Sequence, residues 1–215
     1  MNTATQQRDH VATIASTDPG HALELALKIA DPWFRCQALS MAAVHVVDRR
    51  RRQRAIDRAF AAANELEQRN RVVTVSAWPV KALVLTGNNA RASSEAARLL
   101  QIISSEGSPV RRADALRYLL GAVSASTKAV FLRVAPAFAE ACLEPLQAGT
   151  RNKKGESLLE DCLPGIAQFD RALAESLLAR LAPPRSERCA RAIEALKDAP
   201  VARILSWPSF SQTSS

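Results

Sequence analysis

Apolar positions recur at helical spacing along this chain, and the clearest stretch is HALELALKIADPWFRCQALSMAAVHVV, residues 21 to 47. It reads as an amphipathic helix, a short break at Asp31-Pro32, and a second helix that carries Arg35 followed by Ala38-Leu39. A similar unit, SSEAARLLQIISSEGSPVRRADALRYLLGAV, covers residues 93 to 123 and places Arg112 at the same interval before Ala115-Leu116. Fainter copies align on Arg71, Lys154 and Arg188, so the five basic markers stand 36, 41, 42 and 34 residues apart. That interval suits one helical hairpin of a repeat array. The pattern predicts a first helix near 7–16 and five hairpins. Their helices are expected at 20–30 with 32–47, 51–66 with 69–86, 91–105 with 109–124, 136–147 with 151–164, and 170–181 with 185–197. A short helix is added at 127–134, before Pro136.

Local chemistry supports these boundaries. Asp18-Pro19, Asp31-Pro32 and Ser108-Pro109 each put a side-chain acceptor at an N-cap and a proline at the first helical position, where a missing N–H is harmless. Gly20, Gly87, Gly107 and Gly149 fall at turns between periodic segments. Pro79 interrupts a helical run and predicts a kink or break after Trp78, and Pro145 predicts an early helix end. Residues 1–198 read as one helical-repeat domain. Residues 199–215 read as a tail whose ARILSWPSF part docks and whose SQTSS end frays.

Composition sharpens the fold class. Alanine supplies 40 of the 215 residues, whereas glycine supplies 7 and aromatic residues only 5%, which favours helix over strand. No apolar stretch approaches the roughly 20 residues that cross a bilayer. The polar opening MNTATQQRDH shows no secretory pattern, so a soluble, cytoplasmic protein without membrane contact is expected. Cys36, Cys142, Cys162 and Cys189 are far apart and lack metal-ligand spacing, which predicts buried free thiols.

The segment from Ser108 to Leu116 resembles the start of the second helix in HEAT repeats, and Asp31 to Arg35 with Ala38-Leu39 is a looser version. TPR arrays share the general appearance, but their Trp, Leu-Gly and Tyr pattern is absent. The resemblance implies an all-α, right-handed solenoid of about five antiparallel hairpins whose concave face binds a protein partner. It implies no reaction and no cofactor.

Charge then raises a second function class. Eight arginines, including Arg49, Arg50, Arg51, Arg52, Arg54 and Arg58, face only Asp57, Glu65 and Glu67 between residues 49 and 71, a local excess of +5 out of +8 for the chain. Arg51, Arg54 and Arg58 share one helix face and offer forked donors to phosphate oxygens. A solvated surface is the plainer reading, and nucleic-acid or other polyanion binding is the sharper one. No aromatic residue is interleaved for base stacking. The marker series Arg35, Arg71, Arg112, Lys154 and Arg188 likewise has two readings, a binding stripe or contacts to carbonyls and acids of neighbouring repeats.

Catalytic chemistry has a weak basis. His10, His21 and His45 fall on three different predicted helices, and the pairs Glu140/Glu144 and Glu160/Asp161 are ordinary on helix surfaces. Some HEAT-like folds are DNA glycosylases, for which Trp33 beside Asp31, and Trp78, are the only candidates. Core packing accounts for both tryptophans more simply.

Overall fold

The computed structural model describes residues 3–146, 150–205 and 208. The polypeptide forms α1 (Ala4–Ile14), α2 (Pro19–Leu27), α3 (Pro32–His45), α4 (Arg49–Asn64), α5 (Arg69–Leu85) and α6 (Asn89–Ser104). It continues with α7 (Pro109–Val123), α8 (Lys128–Leu143), α9 (Lys153–Phe169), α10 (Arg171–Leu178), α11 (Arg185–Ala195) and the single turn α12 (Val201–Ile204). No strand is present among the described residues, and none of their helices is long and apolar enough to cross a membrane.

Asp18, Asp31 and Ser108 cap α2, α3 and α7 as their sequence context requires, with proline at the first position of each helix. Asp31 Oδ1 accepts from the backbone N–H groups of Trp33 (2.8 Å) and Phe34 (3.4 Å), two of the donors a helix start leaves unpaired. Asp48, Asn88, Asn152 and Asp170 do the same for α4, α6, α9 and α10. At the end of α5, Gly87 adopts φ +77°, and the N–H groups of Gly87 and Asn88 close onto the carbonyls of Val84 (3.0 Å) and Leu83 (2.8 Å). Only glycine enters that left-handed region without strain. Gly20, by contrast, is the second residue of α2, and Gly149 lies outside the described residues.

Two rows result. α1, α3, α5, α7, α9 and α11 pack on one another in succession, while α2, α4, α6, α8 and α10 each lie against the helix before and the helix after them. Burial follows the rows. In α3 every residue from Cys36 to Ala43 is buried, and α5 is buried continuously from Val72 to Val80, as expected of helices covered on most sides. In α6 only Ala92, Ala96, Leu99 and Ile103 are buried, a single stripe at helical spacing. Alanines with no exposed surface, among them Ala38, Ala42, Ala59, Ala63, Ala77 and Ala82, let backbones approach closely, which explains the alanine content.

Pro79 does not break its helix, and α5 runs through it to Leu85. Proline at position 79 leaves the carbonyl of Val75 without its intrahelical donor. The buried thiol of Cys36, on α3, donates to that oxygen at 3.5 Å. Burial pushes this thiol far above the usual cysteine range, so it stays protonated and able to donate. Pro136 is likewise interior to α8, so the separate helix expected at 127–134 is the first half of a continuous one. Phe131, Val134, Ala135 and Phe138 on either side of it are buried together, and packing on α7 and α9 overrides the local preference. Pro164 lies inside α9 in the same way. The helix before Pro145 ends at Leu143, close to the expected point.

The C-terminal segment docks on α9. Gln168 Nε2 donates to the carbonyls of Leu196 (2.8 Å) and Ala199 (2.6 Å), and Leu205 is buried directly over Gly165. A Cβ at Gly165 would lie 2.7 Å from the Leu205 side chain, so a larger residue there would make Leu205 shift from this seat. Lys81 on α5 donates to the Pro208 carbonyl at 2.5 Å. The SQTSS end lies outside the described residues.

Candidate interaction surface

The arginines of this chain divide by what they touch. One set joins successive helices. Arg35, fourth residue of α3, donates to the carbonyls of Ile29 and Ala30 at 3.0 Å each, at the end of the preceding segment, and pairs with Glu65. Arg112, fourth residue of α7, repeats this arrangement with the Glu106 carbonyl at 2.8 Å and with Glu144. Glu65 and Glu144 are the C-cap residues of α4 and α8, so each arginine reaches the C-terminal end of the helix that follows its own. Between them, Arg69 at the start of α5 donates to the carbonyl of Ser105, the C-cap of α6, at 2.9 Å. A cation at a helix C-terminus satisfies orphan carbonyls and meets the negative end of the dipole.

The other markers do not repeat this arrangement. Arg71 is the third residue of α5, with its guanidinium 5.3 Å from the Trp33 ring centre. Lys154 is the second residue of α9 and is exposed. The fourth position of α9 holds Glu156, which is buried and accepts from Arg151 Nε at 2.8 Å, with Arg185 3.6 Å away. Arg188, fourth in α11, pairs backward with Glu160 of α9 at 2.9 Å, where Arg185 also binds at 2.7 Å. The five markers are therefore divided among different contacts.

The proposed carboxylate pairs are taken up in the same way. Glu140 binds Arg180 at 2.6 Å and Glu144 binds Arg112, while Glu160 holds Arg185 and Arg188. The guanidiniums of Arg180 and Arg188 hold Glu140 and Glu160 below the usual carboxylate range. Burial pushes Asp161 upward; it lines a cavity of about 200 Å³ with Arg117, Gly121, Cys162, Ile204 and Leu205. His10, His21 and His45 are exposed on α1, α2 and α3. Asp31 is occupied as a cap, Trp33 lies under Arg71 and Trp78 is buried in α5. All four cysteines are buried and free, and the described residues contain no cluster of His, Cys, Asp or Glu suited to a metal ion.

The arginines of α4 behave differently. Among the described residues none of Arg49, Arg50, Arg51, Arg52, Arg54 and Arg58 forms an ion pair, and all except the half-buried Arg52 are exposed. Asp57, the one acid within α4, is engaged by Arg91 of α6 at 2.6 Å and by Gln53 at 3.2 Å. Arg51, Arg54 and Arg58 line a groove of about 210 Å³ between α2 and α4. Its apolar lining is Leu23, Leu27, Leu39 and Ala55, and Glu24 stands on the α2 side. Arg51 also reaches the Gly20 carbonyl at 3.5 Å. Arg49, Arg50 and Arg52 stand outside the groove lining. The sequence marks the arginine cluster but not the groove, which depends on how α2 and α4 both seat on α3.

No protein-family model, no curated protein and no solved structure matches this chain. What is established is an all-helical protein whose neighbouring helices pack in order, with an arginine-lined groove on its outer row.

Proposed function

We propose that the chain is a non-catalytic helical-repeat module, a HEAT-like right-handed solenoid of about five antiparallel hairpins, that binds a protein partner. The resemblance implied a concave binding face, whereas the charge distribution favours the side on which α2 and α4 lie. The observation that carries the reading is the partition of arginines: those at the repeat joints hold carbonyls and acids of the fold, and those of α4 hold none of its acids. Exposed guanidiniums beside an apolar groove suit an acidic protein surface, because charge steers the encounter and apolar contact retains the partner. The same arginines favour nucleic acid as a second reading, but leucines in the groove have no role on a phosphate backbone.

Affinity capture from a native extract tests this, using the full chain beside a variant carrying Arg51→Glu, Arg54→Glu and Arg58→Glu. A protein retained by the wild type through nuclease treatment and lost by the variant is the expected result. Capture that disappears on nuclease treatment, with salt dependence close to −0.9 per phosphate on a log–log plot, establishes the second reading instead. Equal capture by both proteins overturns the role of α4.

A further inference from the structure

We propose that the groove between α2 and α4 is a docking site for an amphipathic helix of the partner that is acidic along one flank and apolar at its centre. This rests on the reading of α4 as the binding face and adds the chemistry of its ligand. Arg51, Arg54 and Arg58 lie at i, i+3 and i+7, so they form a row on one wall whose backbone positions span about 10 Å along the helix. A helix laid alongside presents carboxylates at the same intervals, which matches the row without distortion. The lining beneath is apolar: Leu23, Leu39 and Ala55 are almost fully buried, and Leu27 is 41% exposed at the edge. An apolar side chain at the centre of the incoming helix covers Leu27 and removes that surface from water.

The opposite wall sets the orientation. Glu24 is the acid in the groove lining and stands on α2, facing the arginine row from across the groove. A partner acidic on both flanks would meet repulsion there. The fitting helix therefore carries Glu or Asp toward α4 and a neutral or basic residue toward α2, and this asymmetry fixes its direction. A duplex nucleic acid, uniformly anionic, places phosphates against Glu24 and leaves Leu27 uncovered, so charge complementarity favours the peptide.

The test uses the full chain and two labelled synthetic peptides of one composition. The first has glutamates at i, i+3 and i+7 on one flank, leucines along the central stripe and lysine on the other flank; the second is scrambled. Fluorescence anisotropy at physiological salt should show the ordered peptide binding at least about tenfold more tightly than the scrambled one. Leu27→Ser should weaken the ordered peptide about tenfold and leave the scrambled one unchanged. Glu24→Lys should weaken the ordered peptide, whose lysine flank faces that position, and not the scrambled one. The charge reversal at Arg51, Arg54 and Arg58 should remove binding of both, with circular dichroism showing that each variant retains its helix content. If both peptides bind alike, Leu27→Ser changes nothing and the charge reversal still abolishes binding, the groove is overturned while α4 remains an anion-binding face. If neither peptide binds, and extract capture is also independent of the three arginines, the functional reading falls with it. Duplex DNA displacing the ordered peptide with no sensitivity to Leu27 overturns the proposal in favour of nucleic acid.

Discussion

Arg112 and Arg54 are both arginines on helices of the same array, yet only one has a structural position to hold. Arg112 donates to a backbone carbonyl, pairs with Glu144 and is mostly covered, whereas Arg54 borders an open groove and pairs with no acid among the described residues. The difference lies in where each side chain meets the rest of the chain. Arg112 starts an inner helix, between the end of one outer helix and the end of the next, and is surrounded by carbonyl dipoles and a C-cap carboxylate. Arg54 lies midway along an outer helix, where the neighbouring acid, Asp57, is drawn away by Arg91. Position relative to the ends of neighbouring helices decides whether a charge is structural.

The largest effects should come from beneath both regions. Leu39 forms part of the groove and Leu116 belongs to the inner row, and each is 1% exposed. Leu39→Ala and Leu116→Ala should each lower unfolding free energy by about 2–5 kcal/mol in urea denaturation. A near-neutral result at Leu39 would mean that the groove is not built on the core.

Smaller losses sharpen the comparison itself. Arg112→Ala should destabilise by about 1.5–3 kcal/mol, because it removes charged hydrogen bonds and leaves the Glu106 carbonyl without that donor. Asp31→Ala should lose about 1 kcal/mol through the N-cap of α3, and Asp31→Asn should restore most of it. Acid should act through three carboxylates whose folded values are lowered. Glu106 is held below the ordinary carboxylate range first by the Ser108 N–H and then by Arg111, and Glu140 and Glu160 are lowered by Arg180 and Arg188. Their stabilisation is complete above the unfolded carboxylate value near pH 4.3 and is lost as pH falls through the lower folded values. Melting temperature should therefore drop below about pH 4, with a smaller drop in Glu160→Gln.

Sequence pattern made the helices legible where chemistry is local. The caps at Asp18, Asp31 and Ser108 and the arginines Arg35 and Arg112 each follow from a proline-marked helix start. Where no proline marks the start, counting intervals aligned the wrong atoms. Arg71 is one position out of register in α5, and the first-turn arginine that contacts the end of α6 is Arg69. The acids Glu65 and Glu144 were not picked out as partners, although each stands just past a helical run, 30 and 32 residues after its arginine. The interior prolines were illegible for a different reason. The donor that replaces the missing bond at Pro79 is the thiol of Cys36, 39 residues from Val75, and no local pattern records it. The arginine cluster was plain, but its freedom from ion pairs depends on Arg91 drawing Asp57 toward α6, which is a tertiary fact.

That the α4 arginines hold none of the acids of the fold, and so add little to its stability, is tested by equilibrium urea unfolding of two variants beside the wild type. The first combines Arg35→Ala with Arg112→Ala, and the second combines Arg51→Ala, Arg54→Ala and Arg58→Ala. The joint variant should lose about 3 kcal/mol or more, and the α4 variant should change by no more than about 0.5 kcal/mol per site. Equal losses in the two variants would contradict it.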